Sequence, residues 1–283
     1  IIVTCLVQSS SVTTVMAVGF VNSGIMALQS AIGIILGANV GTTVTGWILV
    51  LKIGKWGLPI LGVAAFVFLF SKKERLKYLA LSLLGIGMVF YGLEVMKGGV
   101  KVIKSIPEFN EAFTYFTADS YLGVLACAFA GCILTILVQS SSATLGITIA
   151  LASQGVIGFE SAAALVLGEN IGTTITAYLA SIGTTPNAKR AAYFHVFFNI
   201  LGAFWVTALF QLYLPFVEWV LSTFMGIENV KAIVIKDGVE TLPYVTTGIA
   251  SVHTIFNVAN VLLFMPFTHI FAKILMKIVK DVK

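Results

Sequence analysis

Long apolar stretches alternate with short polar clusters along the chain. No Asp, Glu, Lys or Arg occurs from Ile1 to Leu51, from Ser120 to Phe159, or from Ala191 to Val217. A spanning helix needs roughly 20 apolar residues, so each run can form a spanning helix or a helix plus a re-entrant piece. Segments such as 58–70 do not alternate as the strands of a membrane barrel would. The pattern predicts an all-α integral membrane protein.

Composition and charge agree with a bilayer as the surroundings of the chain. Only 10% of the residues are charged, against about 25% in soluble proteins. The basic residues cluster at the ends of apolar runs, which is typical of juxtamembrane loops and not of a nucleic-acid surface. The three cysteines have no metal-ligand or disulfide spacing. We expect a multi-pass protein of the cell membrane that binds no nucleic acid, cofactor or transition metal.

An internal repeat preserves the polar positions of two of these apolar runs. At an offset of 131, residues 8–45 align with 139–176, and 15 of the 38 positions are identical. The identities include Gln8/Gln139, Ser9–Ser11/Ser140–Ser142, Thr13/Thr144, Gly24/Gly155, Gly37/Gly168, Asn39/Asn170, Gly41/Gly172, Thr42–Thr43/Thr173–Thr174 and Thr45/Thr176. Because the apolar positions drift while the polar ones hold, the duplication has preserved polar chemistry at membrane depth.

Each repeat predicts a helix that runs into Q-S-S-S, a short half-helix, a turn near 22–24 or 154–158, and a second half-helix that reaches G-x-N-x-G-T-T. Two arms of about a dozen residues are too short to cross a membrane twice, so we expect re-entrant hairpins. The predicted boundaries are repeat 1 at 1–71, repeat 2 at 72–225, a polar extramembrane connection at 226–248, and a C-terminal transmembrane helix with a basic tail at 249–283.

The two repeats differ in what precedes Q-S-S-S. Before Gln139 the sequence predicts a helix over 78–96, an amphipathic linker over 105–120 and a helix over 121–138, whereas seven residues precede Gln8. We therefore expect that an N-terminal portion is missing, roughly the counterpart of residues 70–131.

The duplicated motifs have the composition of a binding site inside a membrane. Irregular backbone survives in hydrocarbon only where protein or a water-filled cavity covers it, and the paired glycines permit either unwinding or close helix approach. Broken helices expose N–H groups that can hold an anion, and carbonyls that can coordinate sodium. The alternative is that the hydroxyls bond to their own helices and the glycines serve packing, but duplication at equal spacing argues against it.

No Lys or Arg lies near these motifs, so a bound anion would depend on cations for its counter-charge. Moving one charge through 100 mV is worth about 2.3 kcal/mol. A dianion entering a negative cell meets about twice that cost, which two sodium ions cancel. This balance favours sodium coupling.

These motifs resemble those of the type II sodium-dependent phosphate cotransporters and their bacterial relatives. The resemblance covers nearly the whole chain, including "LVLGENIGTTITAYLASIG" (165–183), "AAYFHVFFN" (191–199) and "ASVHTIFNVANVLLFMPF" (250–267). It implies two inverted-topology repeats, each with a re-entrant hairpin, whose broken helices meet at a central midplane site for inorganic phosphate. Sodium-coupled symport by alternating access is the implied function.

The resemblance assigns roles to residues by motif. The implied phosphate-binding residues are Gln8, Ser9, Ser10, Ser11, Gln139, Ser140, Ser141 and Ser142. The implied sodium-binding or supporting residues are Thr13, Asn39, Thr42, Thr43, Thr144, Glu169, Asn170, Thr173 and Thr174. The two H-x-x-F-N segments supply His195, Asn199, His253 and Asn257, for which helix packing is preferred over direct ligation.

Two acidic residues in apolar runs keep open roles. Glu169 stands where the first repeat has Ala38, and it is a candidate cation ligand, a titrating group, or a carboxylate bonded to a nearby N–H. Glu94 is a functional candidate by its position in an apolar run. The alternative for Glu94 is an interfacial ion pair with Lys97 or Lys101.

Other functions fit parts of the pattern. The same fold could carry arsenate or sulfate, and a channel is a third reading that the paired broken elements favour less than alternating access. An intramembrane serine hydrolase would use a Q-S-S-S serine with His195 or His253, but no G-x-S-x-G elbow occurs. We therefore expect a transporter and not an enzyme, with phosphate and sodium as partners, and leave open whether it is a monomer or a homodimer.

Overall fold

The computed structural model describes residues 1–51, 54–103, 106, 116–236 and 239–281, and most of them are helical. The helices are α1 (Ile2–Val7), α2 (Ser10–Asn22), α3 (Leu28–Thr42), α4 (Val44–Val50), α5 (Gly54–Phe70), α6 (Glu74–Ile103), α7 (Tyr121–Val138), α8 (Ser141–Ser153), α9 (Phe159–Gly172), α10 (Ile175–Ala180), α11 (Pro186–Ala208), α12 (Phe210–Met225), α13 (Val245–Phe264) and α14 (Thr268–Ile278). Strands β1 (Val234–Lys236) and β2 (Val239–Thr241) form a short antiparallel hairpin.

Five helical stretches of the described residues are long and apolar enough to span a membrane. They are Leu28–Val50, Glu74–Val100, Tyr121–Val138, Pro186–Ala208 and Val245–Ile278. The prediction of an all-α membrane protein is confirmed.

Most predicted helices appear, with some changed boundaries. The helix predicted over 121–138 has those bounds as α7, and the one predicted over 78–96 is the middle of the longer α6. The linker predicted over 105–120 lies largely outside the described residues. The last long helix, α13, starts within the predicted polar connection, and a 3-10 turn at Met265–Phe267 joins it to α14.

Two helical hairpins, α2–α3 and α8–α9, form the core of the repeats. Their arms are 13 and 15 residues long in the first hairpin, and 13 and 14 in the second. The turns fall where the sequence predicts them, and each contains a glycine with positive φ, +74° at Gly24 and +66° at Gly155. A left-handed backbone is accessible to glycine at little steric cost, which explains the identity at this pair. Re-entry of the hairpins into a membrane stays a prediction.

The glycines of G-x-N-x-G bring two helices into close contact in each repeat. Helix α1 packs against α3 through Gly41 and Thr4, and α7 packs against α9 through Gly172 and Thr135. A Cβ atom on Gly168 would overlap the backbone carbonyl of Ala128. These glycines lie within the last turns of α3 and α9, which end at Thr42 and Gly172. Of the two uses that the sequence allows, the structure has close approach, as in small-xxx-small helix pairs.

Packing between the repeats is reciprocal. Helix α4, which follows the first G-T-T, packs on α8, and α10, which follows the second, packs on α2. Helix α11 lies against α2 and α3, whereas α13 lies against α8 and α9. Since α11 and α13 carry the two H-x-x-F-N segments, these helices occupy corresponding positions on the two hairpins.

The second hairpin is tied at its turn to the polar connection. Val230 is buried against Phe159 and Gly248. Next to it, the Lys231 ammonium donates to Glu160 Oε1 at 2.6 Å, and this hydrogen bond raises the pKa of Lys231. The connection therefore contacts the membrane domain as well as linking two of its helices.

A buried arginine ties the start of α11 to the segment after α14. Arg190 is 3% exposed, and its Nη2 and Nε atoms donate to the Val279 carbonyl at 2.7 and 3.0 Å. Its Nη2 also pairs with Asp281 Oδ1 at 2.9 Å, and its Nη1 donates to Asn187 Oδ1. Each of the three guanidinium nitrogens therefore has a hydrogen-bond or ion-pair partner.

Gly168→Ala is expected to lower the free energy of unfolding by about 1–3 kcal/mol, because overpacking against a backbone carbonyl forces the helices apart. Gly33→Ala is the control, since a Cβ there meets open space, and alanine is the better helix former by up to about 1 kcal/mol. Thermal midpoints in detergent measure both. Equal midpoints for the two variants would contradict the close-approach role of Gly168.

Candidate functional site

A helix break with the same backbone conformation occurs at Q-S-S-S in both repeats. Helix α1 ends before Gln8, which has φ 55° and ψ 27°, and α7 ends before Gln139, with φ 56° and ψ 24°. These are the two non-glycine residues with positive φ in the part of the chain that the structure describes. A left-handed glutamine is uncommon and costs roughly 1–2 kcal/mol, so the surrounding packing imposes the break.

The first serine of each motif caps the helix that follows. Ser9 Oγ accepts from Val12 N at 3.2 Å, and Ser140 Oγ accepts from Ala143 N at 3.3 Å. The next two N–H groups of each helix, at Ser10 and Ser11 and at their counterparts Ser141 and Ser142, have no intrahelical acceptor. Two helix N-termini thus present free donors and the positive end of a helix dipole.

The threonines two positions after the motif are bonded locally. Thr13 and Thr144 are buried, and each donates to the carbonyl of the capping serine at 3.1 Å. Thr13 also accepts from Thr4 Oγ1 at 3.2 Å. Both residues therefore stabilise the first turn after each break.

One cavity of about 700 Å³ receives a residue from each break. Gln8 and Ser142 line it, together with Thr45 and with Ser82 on the otherwise mostly apolar wall that α6 supplies. The other six predicted phosphate-binding residues are not among its lining residues: Ser9, Ser10, Ser11, Gln139, Ser140 and Ser141. Of these, Ser10 is buried at 2% exposure. The structure thus brings the two motifs to one cavity through one residue of each.

The two breaks differ in how their glutamines are held. Gln8 Oε1 accepts from Thr45 Oγ1 at 2.7 Å, which links the first Q-S-S-S to the helix after G-T-T. In the second repeat Thr176 donates to the Thr173 carbonyl at 3.1 Å, and Gln139 is exposed. A side-chain hydrogen bond thus joins Q-S-S-S to the helix after G-T-T in the first repeat, whereas the corresponding threonine of the second repeat bonds to its own backbone.

The G-x-N-x-G-T-T segments end one helix and start another. Asn39 and Asn170 are buried, and their Nδ2 atoms donate to carbonyls four residues earlier at 2.9 and 2.8 Å. Thr43 and Thr174 bond to carbonyls three residues earlier, at the breaks themselves. Thr42 and Thr173 are buried beside them. The asparagines and the second threonines therefore direct their donors to their own helices.

The H-x-x-F-N residues lie in the core. Asn199 and Asn257 donate to the backbone carbonyls of His195 and His253, both at 2.9 Å. Asn257 Nδ2 also donates to Asn170 Oδ1 at 3.2 Å, which connects α13 to the second G-x-N-x-G-T-T. That contact is a helix-packing hydrogen bond of the kind the sequence favours for these residues.

Unpartnered buried polar atoms concentrate on α9, α11 and α13, three helices that contact one another. They are both carboxylate oxygens of Glu169, Thr173 Oγ1 directly after α9, both ring nitrogens of His195, Asn199 Oδ1, His253 Nδ1, Asn257 Oδ1 and Asn260 Nδ2, and Thr14 Oγ1 on α2 is the remaining such atom among the described residues. Buried polar groups need partners, and carboxylate, amide and hydroxyl oxygens are ligands for hard cations. The arrangement can therefore accept a cation or ordered water.

Further checks limit what the site can hold or do. The part of the chain that the structure describes contains no group of three His, Cys, Asp or Glu side chains placed to hold a metal ion. Glu94 is exposed, and among the described residues no ion pair joins it to Lys97. The side chain of Lys101 lies outside the described residues.

Some residues of the site were not among the sequence candidates. Thr45 is hydrogen-bonded to Gln8, although its identity with Thr176 was visible in the repeat. Thr4 and Thr135 are fully buried at corresponding breaks, and the offset of 131 also aligns this pair. Extending the alignment toward residue 1 is the signal that would have found them.

Comparison with known proteins places the chain among membrane transporters. The sequence model of the Na+/Pi-cotransporter family matches residues 1–98 and 106–230 of the chain. The chain belongs to this family, whose members are transporters and not enzymes. The prediction that the chain is not an enzyme is confirmed, and the serine-hydrolase alternative is wrong.

Named relatives cover different shares of the chain. It is 34% identical to the "Uncharacterized protein YqeW" of Bacillus subtilis, over 97% of this chain and 81% of the relative. It is 29% identical to the "Putative inorganic phosphate export protein YjbB" of Escherichia coli, over 99% of this chain and 47% of the relative. It is 36% identical to human "Sodium-dependent phosphate transport protein 2B", over 49% of this chain and 19% of that protein. No solved structure matches the chain.

Gln8→Gly and Gln8→Val are expected to differ in stability, although both lose the same side-chain bonds. Glycine adopts φ 55° freely, whereas a β-branched side chain is strained there, so the valine variant should unfold at about 1–2 kcal/mol lower free energy. Thermal unfolding in detergent compares the two. If both melt at the same temperature, the left-handed conformation of Gln8 is incorrect.

Proposed function

We propose that the chain transports inorganic phosphate across the cell membrane in a sodium-coupled, alternating-access cycle. The observation that carries the proposal is the duplicated helix break, which brings Gln8 of one motif and Ser142 of the other to one cavity with no basic side chain among its described lining residues. Family membership and the names of two relatives, a putative phosphate exporter and a sodium-dependent phosphate transport protein, support the same substrate.

The residues of each Q-S-S-S would have different roles in phosphate binding. Ser9 and Ser140 hold the helix N-termini in place, because their side chains already cap them. The following serines would donate their hydroxyls and free N–H groups to the phosphate oxygens, and Gln8 and Gln139 would add amide donors. Hydrogen bonds to a charged group are each worth about 1.5–3 kcal/mol, so several of them can replace a missing arginine or lysine.

Sodium coupling would complete the charge balance. Glu169 and the side-chain oxygens of Thr173 and Asn257 lie buried without protein partners, and a cation is the ligand that such acceptors lack. Asn39, Thr42, Thr43, Asn170 and Thr174 are the further candidates for sodium binding or its support. Since a transported dianion is opposed by about 2.3 kcal/mol per charge and 100 mV, two sodium ions would cancel the opposition.

Alternating access would use the correspondence of the two repeats. The reciprocal packing of α4 on α8 and of α10 on α2 supports a pair of inverted repeats that rock against each other. The Gln8–Thr45 bond, present in one repeat and absent from its counterpart, supports a cycle in which the two breaks close in turn.

Export is the second candidate direction. The relative YjbB carries the printed name of a phosphate exporter, and it aligns with 99% of this chain. The same site would serve either direction, because the gradients of sodium and phosphate decide the net flux. Arsenate, which resembles phosphate in shape, would compete for the site.

The transport proposal predicts that proteoliposomes take up radioactive phosphate in sodium and lose most of that uptake when choline replaces sodium. The cause is the missing counter-charge for the anion. Vesicles preloaded with phosphate test efflux in the same preparation. Uptake and efflux that are both undiminished without sodium would refute the coupling.

Ser10→Ala and Ser141→Ala are each expected to weaken apparent phosphate affinity about tenfold, the equivalent of one lost hydrogen bond to a charged group. Ser23→Ala serves as the control, because Ser23 is exposed at the far end of α2 and bonds locally to Phe20. Phosphate-dependent uptake at saturating sodium gives the affinity. The two-break site is wrong if neither substitution changes affinity more than the control does.

A further inference from the structure

A second cavity, of about 570 Å³, contains charged residues that the transport site lacks. It lies where α4 and α8 end and where α5 and α13 begin, and β1 and β2 each contribute a residue to its rim. Lys55, Glu94 and Lys97 line it, and Ser153 and Thr246 add hydroxyls. We call it the outer cavity, and the cavity with Gln8 and Ser142 the inner cavity.

The outer cavity lies next to the inner one. Leu49 and Leu93 line both. Along α8 the lining passes from Ser142 in the inner cavity to Ser153 in the outer one, a rise of about 16 Å. Helices α4 and α6 contribute their residues in the same order, so three helices run side by side from one cavity to the other.

Among the described lining residues of the outer cavity, two lysines and one glutamate carry a net charge of +1. Lys55 and Glu94 are exposed and Lys97 is half-buried. No ion pair joins any two of these three among the described residues. Glu94 Oε2 lies directly over Gly54, beside Lys55. Within the described part of the chain the two ammonium groups can therefore attract an anion, and the carboxylate weakens that attraction.

The position of the lysines has a simpler explanation, and the test must distinguish it from attraction of an anion. Helices α4 and α8 end at the outer cavity, and lysines near helix C-termini offset the negative ends of helix dipoles. In that role they would stabilise the helices without any effect on the substrate. A cavity of about 570 Å³ that adjoins the inner cavity favours a role in binding.

We propose that the outer cavity is a recruitment site for tetrahedral oxyanions, in which Lys55 and Lys97 concentrate phosphate ahead of the inner cavity and Glu94 limits its retention. The proposal rests on phosphate transport as the function of the chain. It supplies the long-range attraction that a site of serines and amides lacks, since hydrogen bonds act only at contact whereas charge acts over about a Debye length.

The transport test uses Lys55→Gln, Lys97→Gln and Glu94→Gln in the full chain. Each lysine variant is expected to raise the KM for phosphate about threefold with kcat unchanged, and Glu94→Gln to lower KM by a similar factor. Lys273→Gln removes the same charge from α14, away from both cavities, and should match the wild type. Added choline chloride should shrink all the differences. The effect is expected in the transport direction that has the outer cavity on its entry side.

A second readout needs no transport. Lys55→Cys, in a chain whose native cysteines are replaced by alanine, is labelled with an anionic and with a cationic thiosulfonate of similar size. The anionic reagent should react faster, and adding Lys97→Gln should lower that preference about threefold. Inorganic phosphate should slow the labelling.

A wild type that carries no phosphate would overturn the transport proposal, while the labelling ratio still decides whether the cavity attracts anions. Equal labelling rates with and without Lys97, or lysine variants that match Lys273→Gln in KM, would overturn the recruitment site.

Discussion

Every backbone N–H and C=O group at membrane depth needs a hydrogen-bond partner. The core of this protein is arranged around the two helix breaks, where intrahelical hydrogen bonds end. At Gln8 and Gln139 the chain turns through a left-handed residue, and a serine caps the next helix. Irregular backbone of this kind is stable only inside protein or beside a cavity. The close packing of α1 on α3 and of α7 on α9 provides that cover, so the glycine contacts and the helix breaks depend on each other.

The same constraint applies to the anion and cation sites that we propose. Free N–H groups at the helix N-termini lack an acceptor, whereas Glu169 and the orphaned oxygens of α9 and α13 lack a donor or a cation. Each deficit is costly in a medium of low dielectric constant. Filling one site brings a charge into the core, and the ion that fills the other offsets that charge. On the proposed function, cotransport follows because the paired occupancy costs less than either ion alone.

The sequence predicts those features that depend on local pattern. Apolar length gives the helices, Gly24 and Gly155 mark the hairpin turns, and the offset of 131 locates both breaks. The capping role of Ser9 and Ser140 is not separable in the sequence from the roles of the serines beside them, because it depends on which hydroxyl faces the next turn.

Other features depend on contacts between distant segments, which no local pattern encodes. The bond from Gln8 to Thr45 breaks the symmetry of two nearly identical motifs, so an alignment of the repeats cannot reveal it. The choice between unwinding and close approach at Gly41 and Gly172 was likewise settled by the helices that pack on them.

Arg190 has a consequence for how the molecule is made. Its guanidinium is buried at the start of α11, and apart from the nearby Asn187 its partners are the Val279 carbonyl and Asp281, which follow 89 and 91 residues later. A buried cation without its partners is strongly destabilising. Until the ribosome has delivered residue 281, the start of α11 must therefore keep this charge in water or in the lipid headgroups. Synthesis of residues 279–281 then supplies the partners that let the first hairpin, α11 and α14 settle together.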